Sequence, residues 1–99
     1  MKHGTPTDDE LERLGDEIEG KWKKLGRRLH VRNPKLQNID QAHGDLSEKG
    51  YYMLIHWKEK SGSAATYKVL SDALKHELVQ RQDLAEKYCY INGNHFRDI

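Results

Sequence analysis

Apolar residues recur at helical spacing along most of the chain, and the pattern is clearest between Leu46 and Leu74. A first stripe at i, i+4, i+7, i+8 and i+11 consists of Leu46, Gly50, Met53, Leu54 and Trp57. After a polar joint that contains Gly62, Thr66 is placed to cap the next helix. The second stripe consists of Val69, Leu70, Ala73 and Leu74. This stretch therefore predicts two amphipathic helices, with Trp57 closing the first stripe.

The same periodicity predicts four further helices. A capping box formed by Thr7 and Glu10 begins the first helix, and Asp45 begins the helix that contains Trp57. Asn33 is predicted to cap the third helix, with Pro34 at its first helical position. The sixth helix is predicted near Gln82 to Tyr90. The inward stripes of these four helices are Leu11, Leu14 and Ile18; Trp22, Leu25, Gly26 and Leu29; Leu36, Ile39 and Ala42; and Leu84, Ala85 and Tyr88. Glycines at positions 15, 20 and 50 are expected to weaken or loosen their helices, since glycine costs about 1 kcal/mol relative to alanine.

The chain is predicted to be an all-α protein with one compact core. Its 99 residues are the size of one domain, and no useful β-alternation, repeat or low-complexity segment interrupts the helical pattern. We expect residues 1–7 to be a flexible N-terminus and residues 8–91 to form the domain. The tail, residues 92–99, is expected to be mobile or to lie against the surface through Phe96.

Charge changes this picture, because the two signs are segregated although the net charge is only +1. Residues 1–20 carry seven acidic side chains: Asp8, Asp9, Glu10, Glu12, Asp16, Glu17 and Glu19. Residues 21–35 carry seven basic side chains and no acidic one: Lys21, Lys23, Lys24, Arg27, Arg28, Arg32 and Lys35. Opposed patches of this kind can attract other copies or relatives head to tail. The plainer interpretation is two solvated helix faces.

Neither catalysis nor a cofactor is expected. The six histidines form no H-x-x-x-H pair, so no metal site is predicted. The single cysteine, Cys89, favours a reducing compartment, and we expect a buried helix cysteine rather than a nucleophile paired with His95. Nucleic-acid binding is disfavoured, because the acidic first helix would repel phosphates. No membrane contact is expected, and we predict a cytoplasmic protein.

Ordered motifs from about Leu11 to Ile91 resemble those of a death domain. They are WKKLGRRL at 22–29, which is similar to W-x-x-L-[AG]-R-x-L; YMLIHW at 52–57; GSAAT at 62–66 followed by Leu70 and Ala73-Leu74; and DLAE at 83–86. Each motif is common in helical proteins, whereas their order and spacing over some 80 residues is not. The resemblance implies a six-helix antiparallel Greek-key bundle, the death fold, that binds other death domains without catalysis and can build helical oligomers.

By position, the resemblance implies that Lys24, Arg27 and Arg28 match a basic receptor-binding surface. Asn33 stands where several adaptors carry an acidic residue. The candidate interaction residues, from charge and resemblance together, are Lys23, Lys24, Arg27, Arg28, Arg32, Lys35, Asp16, Glu17 and Glu19, with Lys58 and Lys60 on the polar joint.

The leading hypothesis is a homotypic interaction module of apoptotic or innate-immune signalling. Its partners would be other death-domain proteins, either a receptor tail or an adaptor, with self-association into a helical oligomer as a further possibility. The alternative is a structural module of a cytoskeletal or nuclear scaffold, which would stay monomeric.

Overall fold

The computed structural model describes residues 1–91 and contains six α-helices within them. They are α1 (Asp8–Ile18), α2 (Trp22–Arg28), α3 (Asn33–Ala42), α4 (Leu46–Ser61), α5 (Tyr67–Lys75) and α6 (Gln82–Cys89). A single 3-10 turn, Glu19–Lys21, joins α1 to α2, and a second one, Gly62–Ala64, follows α4. The all-α class predicted from the apolar stripes is confirmed. The tail, including Phe96, lies outside the described residues.

Both tryptophans lie in the core, as the stripes predict. Trp57 is only 2% exposed and Trp22 only 3% exposed, and they pack into one cluster with the apolar residues of all six helices. Leu11, Leu25, Leu54 and Leu74 in that cluster are completely buried. Burying a large aromatic side chain removes some 150–250 Å² from water, so these two residues anchor the bundle.

Helices α1 and α4 cross at two glycines. A Cβ atom on Gly15 would lie 2.6 Å from the backbone nitrogen of Tyr51, and one on Gly50 would lie 2.8 Å from the carbonyl oxygen of Gly15. No real Cβ tolerates such distances to backbone atoms, so only glycine permits this approach. Gly15 and Gly50 thus have a role beyond the helix-propensity cost predicted from the sequence, because the absence of a side chain is what lets the two backbones meet.

Three apolar positions that the stripes place inside are on the surface instead. Leu46 is 44% exposed and Val69 is 40% exposed, and Ala42 is also exposed. Each of these residues lies within three positions of an end of its helix. The core is thus narrower than the periodicity predicts.

The N-terminal segment, for which the sequence predicts flexibility, makes hydrogen bonds to the helices. The backbone N–H of Lys2 donates to the carbonyl of Cys89 at 2.9 Å, and the N–H of Tyr67 donates to the carbonyl of Gly4 at 3.2 Å. Pro6 is buried, and Lys2 Nζ pairs with Glu10 Oε2 at 2.7 Å. The N-terminal segment therefore contacts α5 and α6 through backbone hydrogen bonds and α1 through a side-chain ion pair.

Helix starts follow the predicted caps with one exception. Thr7 and Glu10 form the capping box of α1, Asp45 accepts from the N–H of Glu48, and Thr66 accepts from the N–H of Val69. Asn33, predicted as the cap of α3, is already helical, and Arg32 occupies the N-cap position without a side-chain hydrogen bond. The Asn33 amide oxygen is taken instead by the guanidinium of Arg27, at 3.0 Å from its Nε.

Among residues 1–91, no helix combines the length and the apolar character that crossing a lipid bilayer requires.

Candidate protein-interaction surfaces

Four of the predicted basic residues lie exposed on α2 and the start of α3. They are Lys24, Arg27, Arg32 and Lys35, here called the basic surface. Within residues 1–91, no carboxylate pairs with any of these four side chains. The bond from Arg27 to Asn33 ties the end of α2 to the first turn of α3, so both helices contribute to one surface. Unpaired, exposed cations of this kind are available to carboxylates of a partner.

Lys23, in contrast, is occupied within the domain. Its Nζ lies 2.7 Å from Asp40 Oδ2, and Lys49 of α4 lies 2.7 Å from the other oxygen of the same carboxylate. Lys23 also lies over the ring of Trp22, 5.7 Å from its centroid. Hydrogen bonds and attraction from the two lysines lower the pKa of Asp40 to about 2. Asp40 therefore joins α2, α3 and α4, and Lys23 serves the fold.

This bridge predicts a pH dependence of stability. The folded pKa of Asp40 is below its ordinary value of 3.8, so its contribution is complete above pH 3.8 and is lost as pH falls through about 2. We expect Asp40→Asn to melt at a lower temperature than the wild type at pH 7, and the difference to disappear towards pH 2. Thermal melts followed by circular dichroism from pH 7 to pH 2 measure this. The control is Asp16→Asn, whose carboxylate has no ion pair within residues 1–91. A difference that stayed constant with pH would contradict the bridge.

Arg28 faces a neighbouring loop rather than open solvent. It is half-buried, and its Nη1 lies 3.3 Å from Nε2 of His76, the residue that follows α5. Lys21, another member of the basic run, donates from Nζ to the carbonyl of Val79 at 2.8 Å in the same loop. The basic residues of positions 21–35 therefore have different roles. Lys21 and Arg28 contact the loop after α5, Lys23 pairs with Asp40, and the basic surface is exposed.

Asp16 lies in a cleft between α1 and the start of α4. Here called the acidic cleft, it has a volume of about 400 Å³ and carries the carboxylates of Asp9, Glu12, Asp16 and Glu48. Tyr51 lies in the same cleft, and its pKa is raised first by partial burial and then by negative charges that include Glu12 and Glu48. Arg13 pairs with Asp9 at 2.9 Å, which leaves the cleft with an excess of negative charge.

Sequence reasoning missed three of these carboxylates. The spacing of Asp9, Glu12 and Asp16 at i, i+3 and i+7 places them on one helix face, and this signal was available. Glu48 reaches the cleft only because α4 packs on α1 through the two glycines.

The other acidic candidates do not share this cleft. Glu17 is bound to α6, with Lys87 Nζ at 2.6 Å and the hydroxyl of Tyr88 at 3.2 Å. Glu19 ends α1 with a φ of 51° and is exposed. The hydrogen bond between Arg81 and Asp83 raises the pKa of Arg81, and the negative charge of Glu19 adds to that rise. Glu17 therefore holds the bundle together, and Glu19 lies at its edge.

The two lysines of the polar joint also differ. Lys58 pairs with Asp8 of α1 at 2.9 Å, whereas Lys60 is exposed. Burial, followed by the positive charges of Lys35 and Lys60, lowers the pKa of His56. Lys60 and Lys35, one residue of the basic surface, therefore both place positive charge near His56 on α4.

Cys89 is completely buried, and that burial raises the pKa of its thiol to about 12. The thiol is therefore a core group rather than a nucleophile at neutral pH, while His95 lies outside the described residues. Over residues 1–91, no group of three or more His, Cys, Asp and Glu side chains is arranged to hold a metal ion.

Comparison with known proteins places these surfaces in a family. A family model of the Death domain matches residues 8–90. No curated protein matches the chain in a sequence search. The matched residues include all six helices, both tryptophans, the basic surface and the acidic cleft. Death domains are protein–protein interaction modules, and they typically bind other death-domain proteins. The chain belongs to the death-domain family and is an interaction module of death-domain signalling.

Proposed function

We propose that this domain assembles a signalling complex in apoptosis or innate immunity, in the cytoplasm, by binding other death domains through its basic surface and its acidic cleft. The observation that carries the proposal is that one bundle displays four exposed cations on α2 and at the start of α3, none with a carboxylate partner within residues 1–91, and a carboxylate-lined cleft between α1 and α4. These surfaces are complementary in charge, and they are built from different helices.

Two unlike surfaces on one molecule favour a head-to-tail contact. The basic surface of one domain would meet the acidic cleft of the next, which leaves a free cleft and a free basic surface at the ends of the pair. Such a contact can add further domains, including other death domains with matching charges. Self-association of this chain and capture by a receptor tail or adaptor would then use the same residues.

The composition of the basic surface sets how the contact should respond to salt. Exposed charge pairs are screened beyond about 8 Å at physiological ionic strength, so affinity should fall as salt is added. Like charges placed opposite one another cost several kcal/mol, so charge reversal is a stronger perturbation than neutralisation. Lys24 and Arg27 suit this test, because both are on α2 and neither has a carboxylate partner among residues 1–91.

We expect the variant Lys24→Glu/Arg27→Glu to bind at least about tenfold more weakly than the wild type, a loss of at least about 1.4 kcal/mol. Sedimentation velocity over a concentration series measures self-association, and the same variant is compared in binding to a second death domain. The control is Lys68→Glu, an exposed lysine of α5 outside both surfaces. Circular dichroism melts should be similar for all three proteins.

Unchanged association of the charge-reversed variant would contradict the proposed surface. A wild type that neither self-associates nor binds any death domain would favour the structural scaffold alternative.

A further inference from the structure

The loop after α5 presents an apolar side chain to solvent. Leu78 is 50% exposed, more than any other large apolar residue between positions 2 and 90. Its neighbour Glu77 is also exposed and has no ion pair within residues 1–91. An apolar side chain beside a carboxylate, at the tip of a loop, has the character of a contact group rather than of a core residue.

This loop is held in one conformation. Nδ1 of His76 accepts from the N–H of Leu78 at 3.0 Å, and the carbonyl of His76 accepts from the N–H of Gln80 at 2.8 Å. Val79 is completely buried, and its carbonyl accepts from Lys21 Nζ at 2.8 Å. Because the backbone around Leu78 is already fixed, little conformational entropy would be lost when its side chain is bound.

A groove between α3 and α4 has the size for one such side chain. Its volume is about 270 Å³, slightly below the roughly 300–1,000 Å³ of pockets for small molecules. Ile39, Ala42 and Ile55 supply apolar lining. At one end the rings of His43 and Tyr52 stack, with centroids 4.2 Å apart and planes inclined by 6°.

The opposite end of the groove is positive. Lys35 lines the groove about two turns of α3 before His43, together with His56 and Glu59 of α4. Lys60 adds positive charge near His56, so the cations there exceed the single carboxylate. A carboxylate placed at this end, beside an apolar side chain in the groove, would therefore be attracted.

We propose that the α3–α4 groove binds the Leu78 side chain of a second copy of this chain, with Glu77 of that copy facing Lys35. This inference rests on the self-association in the proposed function and adds a contact outside the acidic cleft. The contact is heterologous, because Leu78 and the groove are on different elements, so it can be repeated from copy to copy. Two other exposed apolar side chains fit less well: Val69 is flanked by the Lys68–Asp72 ion pair, and Leu46 is on α4, which itself forms one wall of the groove.

Two variants test the contact from its two sides. Leu78→Asp removes the inserted side chain, and Ala42→Trp fills the groove at an exposed position. We expect each variant alone to self-associate at least about tenfold more weakly than the wild type by sedimentation velocity. The control Val69→Asp replaces a comparably exposed apolar residue and should associate as the wild type does. Melting curves should show that all variants fold.

Mixing the two variants gives the sharper result. Leu78→Asp keeps its groove and Ala42→Trp keeps its Leu78, so an equimolar mixture contains one intact contact per pair. We expect the mixture to associate more tightly than either variant alone. Wild-type affinity in both single variants, or a mixture no tighter than its components, would overturn the inference.

These results separate the two proposals. If Lys24→Glu/Arg27→Glu abolishes association and Leu78→Asp does not, the basic surface stands and the groove contact is wrong. If the reverse holds, the groove contact stands and the basic surface is wrong. A wild type that remains monomeric up to about 1 mM would overturn the groove contact outright. The role of the basic surface in binding other death domains would still be tested, by comparing Lys24→Glu/Arg27→Glu with the wild type.

Discussion

Replacing Trp57 with alanine is expected to lower the free energy of unfolding by about 3–5 kcal/mol. Trp57 is on α4 and only 2% exposed, and it packs in the cluster that all six helices share. Truncation removes the transfer free energy of the indole and leaves a cavity that surrounding side chains fill only in part. Domains of this size are stable by about 5–15 kcal/mol in total, so the expected loss is a large part of the whole stability.

Urea titration followed by tryptophan fluorescence or circular dichroism measures this loss, with Trp22 as the remaining fluorophore. Tyr52→Ala is the matched control, because Tyr52 is an aromatic residue of the same helix that is 41% exposed. Its stacking on His43 is worth at most about 1.5 kcal/mol. Equal losses for the two variants would show that Trp57 is not the anchor of the core.

Replacing Gly15 with alanine is expected to destabilise the domain by about 1–3 kcal/mol. Helix propensity alone predicts the opposite, since alanine is favoured over glycine by about 1 kcal/mol inside a helix. The new Cβ would lie 2.6 Å from the backbone nitrogen of Tyr51, and backbone cannot rotate away as a flexible side chain can. Helices α1 and α4 would have to separate, which would also disturb the acidic cleft between them.

Gly20→Ala is the matched control for this prediction. A Cβ on Gly20 would meet no atom within 4 Å, so this substitution should leave stability unchanged or raise it by up to about 1 kcal/mol. Thermal and urea unfolding of the two variants side by side measure the difference. If Gly15→Ala were as stable as Gly20→Ala, the close crossing of α1 and α4 would be wrong.

Local features of the fold could be predicted from the sequence because they depend on residues close together in the chain. The stripes around Trp22 and Trp57 predict which faces are buried, and Thr7 with Glu10 predicts where α1 begins. These signals depend only on helical periodicity and on unsatisfied backbone N–H groups.

Contacts between distant residues could not be predicted in this way. Glu17 and Lys87 are 70 residues apart in the chain and pair at 2.6 Å. From the sequence, Gly15 and Gly50 are predicted only to weaken their helices, because the crossing of α1 and α4 at these residues is a tertiary contact. The backbone bonds that hold residues 1–7 leave no trace in the side-chain pattern either.

The candidate site shows the same division. The sequence locates the acidic and basic runs, but it cannot say which charges are satisfied inside the domain. Lys23 forms an ion pair with Asp40, and Arg28 faces His76. Lys24 and Arg32, in contrast, are exposed. Only tertiary packing separates the charges that hold the bundle from those that a partner can reach.

A charge swap tests most directly whether the basic surface of one domain meets the acidic cleft of the next. Glu12→Lys/Asp16→Lys reverses the cleft, and Lys24→Glu/Arg27→Glu reverses the basic surface. We predict that each pair of substitutions alone weakens self-association at least about tenfold in sedimentation velocity, and that all four together in one chain restore it to within about threefold of the wild type. If the chain with all four substitutions associated as weakly as the two double variants, this contact between the basic surface and the acidic cleft would be contradicted.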